Sequence, residues 1–109
     1  MPIKKADGNS GSPTLRRWRV IEVEFQNGVR SRHIWGHEVT NDEGRASTAI
    51  KQFNSNNMTA MTSSGRVYKL AGPPGNPLCG RYVWRNWCQI HGVVSELDVT
   101  SEYYDTNTI

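Results

Sequence analysis

Hydrophobic and polar residues alternate most regularly between Leu15 and Trp35. Ile21, Val23 and Phe25 fall on one face of an extended segment and Glu22 and Glu24 on the other, the period of a half-buried strand. Trp18 and Val20, just upstream, have the opposite parity. A β-bulge near Val20-Ile21 would bring both sets onto one face; without one, both faces of the strand are partly covered. Gln26-Asn27-Gly28 interrupts the pattern, and its Asn-Gly pair suits the positive φ angles of a type I′ hairpin turn. Val29 to Trp35 then returns as a second strand. Val29, Ser31, His33 and Trp35 share one of its faces and Arg30, Arg32 and Ile34 the other.

Farther along, the pattern breaks into shorter pieces. Ile50 and Phe53 are three apart, which suits a helical turn and not a regular strand. Met58 to Thr62 and Arg66 to Leu70, joined by Ser63-Ser64-Gly65, read as a second hairpin. Ala71 to Pro77, with its Gly-Pro-Pro-Gly-Asn-Pro centre, is a stiff loop. Gly80 to His91 is the strongest helix, because Val83, Trp84, Trp87, Cys88 and His91 recur at helical spacing. Asn76 can cap an earlier start, with Pro77 at the first helical position, and Gly92 stands where a terminating glycine belongs. Val93-Val94 is too short to classify, and Asp98 to Tyr104 reads as a last turn or a short edge strand. The pattern predicts an α+β fold: an antiparallel sheet of four or five strands in two hairpins, packed on one C-terminal amphipathic helix. A small open β-barrel with a helix is the alternative. Residues 1–14 read as a flexible tail, 15–104 as a single globular domain and 105–109 as a frayed end.

A chain of 109 residues fits one domain. At this size folding buries roughly 60–70% of the surface of the unfolded chain, enough for a core without disulfides or metal. Only 36% of residues are hydrophobic, so four Trp, four Tyr and two Phe must supply much of that core. The net charge of +3 is mild, but its distribution is uneven. Between residues 15 and 37 five arginines face two glutamates, whereas from residue 38 onward acids slightly outnumber bases. No apolar run approaches the about 20 residues that cross a bilayer, and no secretory core follows Met1. The expected setting is the cytoplasm, with Cys79 and Cys88 both as free thiols and no membrane partner.

Three groupings invite a chemical reading. In the first, Arg16, Arg17, Trp18 and Arg19 enter the first hairpin and Arg30, Arg32, His33 and Trp35 leave it. Guanidinium groups fork onto phosphates and indoles stack on bases, and the same residue types make protein-binding hot spots. The plainer reading is that Trp18 and Trp35 are core while the arginines pair across strands with Glu22 and Glu24. In the second, His33, His37, Cys79, Cys88 and His91 resemble zinc ligands by type, but no Cys-x-x-Cys is present and the spacings do not match. The third is catalytic: His33 or His37 beside Glu38 as base, with Cys79 or Cys88 as nucleophile. Nothing in the sequence places a base beside a nucleophile, and Cys88 reads as a small core residue. Gly72 to Asn76 is not a phosphate loop, since it lacks the Lys-Ser/Thr ending and its prolines remove donors.

The motifs tie the chain to no named family. In general character it is similar to short single-domain proteins of phages and mobile elements, many of which act by docking on a host machine. The expectation is a non-enzymatic binding module without cofactor or metal, monomeric or homodimeric. Arg16, Arg17, Arg19, Arg30, Arg32, Trp18 and Trp35 would dock on a protein or nucleoprotein partner. Inhibition of a host defence complex, in the manner of an anti-CRISPR protein, is one form of this. Direct nucleic-acid binding is the alternative, and a small metal-dependent or thiol enzyme comes third.

Overall fold

A computed structural model of the chain describes residues 12–104. The elements run in the order β1 (Thr14–Phe25), β2 (Arg30–Glu38), β3 (Glu43–Ala46), β4 (Ile50–Asn54), β5 (Thr59–Thr62), β6 (Val67–Ala71), α1 (Leu78–His91) and β7 (Val93–Asp98), followed by a 3-10 turn at Thr100–Glu102. The fold is α+β, with one helix and one open sheet. The sheet has seven strands, not four or five, and is mixed, not purely antiparallel. Its order is β3-β2-β1-β6-β5-β4, and β7 also pairs with β1. It does not close into a barrel. The expected tail and frayed end lie outside the described residues except for Ser12 to Thr14; β1 already starts at Thr14.

The long strand β1 organises the molecule. The expected bulge at Val20-Ile21 is absent, since those residues pair in regular register with Ile34 and His33, and the opposite parities remain on opposite faces; a bulge lies instead at Arg17-Trp18, between the Arg16↔His37 and Arg19↔Trp35 pairs. The extra residue puts Leu15 on the same face as Trp18 and Val20. Ile21 and Val23 keep the opposite face, so both faces are buried. On one side Leu15, Trp18, Val20 and Ile34 pack with Ala60, Tyr68, Leu70 and Val99. On the other, Ile21, Val23 and Trp35 pack with Trp84 of α1.

The bulge also divides the outer edge of β1. Before it, Thr14 to Arg16 pair in parallel with Lys69 to Ala71. After it, Ile21 to Phe25 pair antiparallel with β7. The Gly-Pro-Pro-Gly loop fills the gap between them: the Trp18 indole N–H donates to Gly72 O (3.1 Å), Gly75 N–H to Trp18 O (3.2 Å) and Arg19 Nε to Gly75 O (2.7 Å). The loop is thus a structural latch. Its glycines serve that role, for a Cβ on Gly75 would lie 2.7 Å from Arg17 Cβ.

Ile50 and Phe53 belong to a strand and not to a helical turn. A register shift between Ile50 and Gln52 lets residues three apart both pack on the Trp18 side of the sheet. Both hairpin turns depart from type I′. Gly28 N–H donates to Phe25 O and Phe25 N–H to Val29 O, with only Gly28 at positive φ (84°); Gly65 repeats this at Thr62. These are three-residue loops ending on a left-handed glycine. The helix starts at Leu78 after Pro77, without the Asn76 cap, and ends at Gly92 in the left-handed conformation. It is not the last element, since β7 follows it.

Candidate functional site

Three arginines of the first hairpin, Arg19, Arg30 and Arg32, are matched to carboxylates. Glu24 stands opposite Arg30 and Glu22 opposite Arg32 in the β1–β2 register, on the sheet face away from the helix. Arg30 reaches Glu22 (3.4 Å) and Glu24 (3.2 Å). Arg32 binds Glu22 (2.9 Å) and Glu102 (2.8 Å), and its guanidinium lies 5.8 Å from the centre of the Tyr103 ring. Hydrogen bonding from Arg32 holds the Glu22 carboxyl below its usual range. Arg19 pairs with Asp98 at 2.7 Å. Trp18 and Trp35 are 0% and 4% exposed, so they are core residues and neither is an anchor for a partner. Of the seven residues singled out in the sequence, Arg16 and Arg17 at the bulge are exposed as whole residues, as is the ion-paired Arg30. The segment with the greatest positive charge in the sequence folds into a largely neutralised ladder.

His33 and His37 likewise have polar partners, whereas Cys79 is an exposed free thiol. The buried His33 donates from Nδ1 to Ser47 O (2.9 Å), since a carbonyl only accepts; its Nε2 therefore accepts from the Ser31 hydroxyl (2.7 Å). Burial pushes its pKa down, and the nearby His91 adds to this. The ring packs on Trp87 at 4.5 Å, and Trp87 lies at 4.2 Å from His91 on the helix. His37 pairs with Asp42. Burial and the charge of Glu96 push the Cys88 thiol up to about 12, which leaves it protonated at neutral pH. Among the described residues no three His, Cys, Asp or Glu side chains converge as metal ligands, and no helix is long and apolar enough to cross a membrane.

One face of α1 has no counterpart among the described residues. Its inner face is fixed by close backbone approach and by indoles. Gly44 of β3 sits directly under the Cys79 carbonyl, leaving no room for a Cβ, and Gly80 lies against the Trp35 ring. Trp84 stacks with Trp87 (5.1 Å, 8° between planes), and its N–H donates to Glu96 (2.7 Å). That inner face fixes which residues point outward. Leu78, Tyr82, Asn86 and Ile90, each four apart, form one exposed row; Arg81, Arg85 and Gln89 form the next. Leu78, Tyr82 and Ile90 are 77%, 70% and 77% exposed. The helix contains no Asp or Glu, and no carboxylate of the described residues pairs with Arg81 or Arg85. In the sequence the helical spacing of Trp84, Trp87 and Cys88 marks the opposite face more strongly. The signal was present in the spacing of Leu78, Tyr82 and Ile90.

No protein-family model matches the chain, and neither a curated protein nor a solved structure matches it.

Proposed function

We propose that the chain is a non-enzymatic binding module that docks on a protein or nucleoprotein partner through the outer face of α1. The observation that carries this reading is the exposure of Leu78, Tyr82 and Ile90 on one acid-free helix beside Arg81 and Arg85. Large apolar side chains grouped in water mark an interaction surface. Tyr and Arg are the residue types that dominate binding energy at such surfaces. This reading places the docking face on the helix and not on the hairpin, where Arg19, Arg30 and Arg32 already have carboxylate partners. A non-catalytic role is supported by the state of two of the candidate groups: both His33 nitrogens are hydrogen-bonded and the Cys88 thiol is protonated.

The test is capture from a source-cell lysate with and without nuclease. Tyr82→Ala is expected to weaken the partner by about 2 kcal/mol, and Arg81→Glu/Arg85→Glu to abolish nuclease-resistant capture. Arg30→Gln, on the opposite side of the sheet, is expected to leave capture intact. Loss with Arg30→Gln and not with the helix variants would return the docking face to the hairpin.

Direct nucleic-acid binding is the second reading, favoured by the exposure of Arg16 and Arg17 at the bulge, where Arg17 lies against Gly75, two residues before Pro77. It requires nuclease-sensitive capture and a steep loss of log affinity with log salt.

A further inference from the structure

The chemistry of the partner can be read from the same face. Resting on the docking reading above, we infer that the partner presents an acidic amphipathic helix, packed across α1. Its apolar side chains would cover Leu78 and Tyr82, and its carboxylates, one turn apart, would reach Arg81 and Arg85.

The first argument is geometric. Rows of residues four apart are the ridges that interdigitate when helices pack. The outer face of α1 presents two such rows, Leu78-Tyr82-Asn86-Ile90 and Arg81-Arg85-Gln89, and every member is exposed. An apolar ridge beside a cationic one is matched by a helix carrying an apolar ridge beside an anionic one, with the same four-residue spacing.

The second argument is electrostatic. Most carboxylates of the described residues are engaged: Glu22 and Glu24 by Arg30 and Arg32, Asp98 by Arg19, Glu102 by Arg32, Asp42 by His37, Glu96 by the Trp84 N–H, and Glu38 by the backbone N–H groups of Thr40 and Asn41; the exposed Glu43 of β3 makes no ion pair with either arginine of α1. Arg81 and Arg85 pair with no carboxylate of the described residues, which leaves their charge open to an acidic partner. A second copy of α1 brings arginines and no carboxylate. A nucleic acid would neutralise the arginines but leave Leu78 and Ile90 in water.

The experiment places photoreactive benzoylphenylalanine at position 82 of the full chain in the source cell and identifies the cross-linked peptide by mass spectrometry. The captured segment is then synthesised and titrated against the full chain. A helical segment with Asp or Glu at four-residue spacing is expected. Arg81→Glu/Arg85→Glu should weaken its binding at least tenfold, as charge pairs across an interface do. Replacing the peptide's acids by Lys should restore binding to that variant. Arg81→Gln/Arg85→Gln, which removes charge without adding repulsion, should give an intermediate loss, and circular dichroism checks that each variant is folded. A cross-link to a neutral or extended segment, with binding unchanged by the charge variants, overturns the acidic helix and keeps the docking face. A cross-link to nucleic acid overturns it in favour of a polyanion. No cross-link at position 82 overturns the docking reading itself.

Discussion

At the scale of single residues, Arg17 shows how much rests on one backbone conformation. Its φ of +52° is left-handed, a region that costs an L-residue roughly 1–2 kcal/mol. The strain is held by the latch around it, where Gly75 donates to Trp18 O and accepts from Arg19. Arg17→Gly removes the strain and adds a comparable loss of chain entropy, so its stability should stay within about 1 kcal/mol of wild type. Arg17→Val, β-branched at the same φ, should lose roughly 1–2 kcal/mol. Thermal unfolding of the two variants side by side checks this; equal stabilities would mean that the bulge relaxes without cost.

At the scale of elements, the helix is held to the sheet by what is missing from two side chains. Gly44 lets β3 run directly beneath the Cys79 carbonyl, and Gly80 lets α1 settle on the Trp35 ring. Gly44→Ala puts a methyl group into backbone that cannot swing aside, a steric insertion that costs about 1–3 kcal/mol. The urea midpoint should fall with the slope unchanged, because the same surface is exposed on unfolding. The two hairpins show a subtler element-level effect. Asn27-Gly28 marked a turn correctly, yet the turn uses three residues with one left-handed glycine, and Ser63-Ser64-Gly65 uses the same solution. Turn position was legible from composition. Turn type was decided by the register in which Glu24 meets Arg30 and Met61 meets Val67.

At the scale of the molecule, stability should depend on pH in two stages. Burial lowers the His33 pKa from its ordinary 6.5, so the unfolded chain binds a proton there before the folded one does. Its contribution is complete above that value and is lost as pH falls toward the folded-state pKa. Glu38 is pushed up by burial, but the backbone N–H groups of Asn41 and Thr40 outweigh this and leave its pKa below 4.5. Asp98 behaves alike: burial raises it, while Thr100 and Arg19 bring it below 3.8. Both carboxylates therefore stabilise the fold above their ordinary values and cease to do so on further acidification. Urea titrations at about pH 7.5, 5.5 and 3 should show stability falling in both intervals, and His33→Gln should flatten the first.

The sequence by itself determined the first strand pair, the second hairpin, the helix and its end at Gly92, because each rests on local periodicity or on one residue's backbone freedom. It also offered the pairing of Arg30 and Arg32 with Glu22 and Glu24, since residues that alternate on facing strands meet. Tertiary structure decided the rest. It placed the bulge at Arg17-Trp18, because the site of an extra residue depends on what packs against both faces of β1. It recruited β3, β4 and β7, whose short and irregular patterns become strands only beside β2, β5 and β1. It buried Trp18 and Trp35, and by turning the indoles of α1 inward it left Leu78, Tyr82 and Ile90 in water. Which residues a surface presents is a property of the packed whole, and a single strand or helix read alone does not carry it.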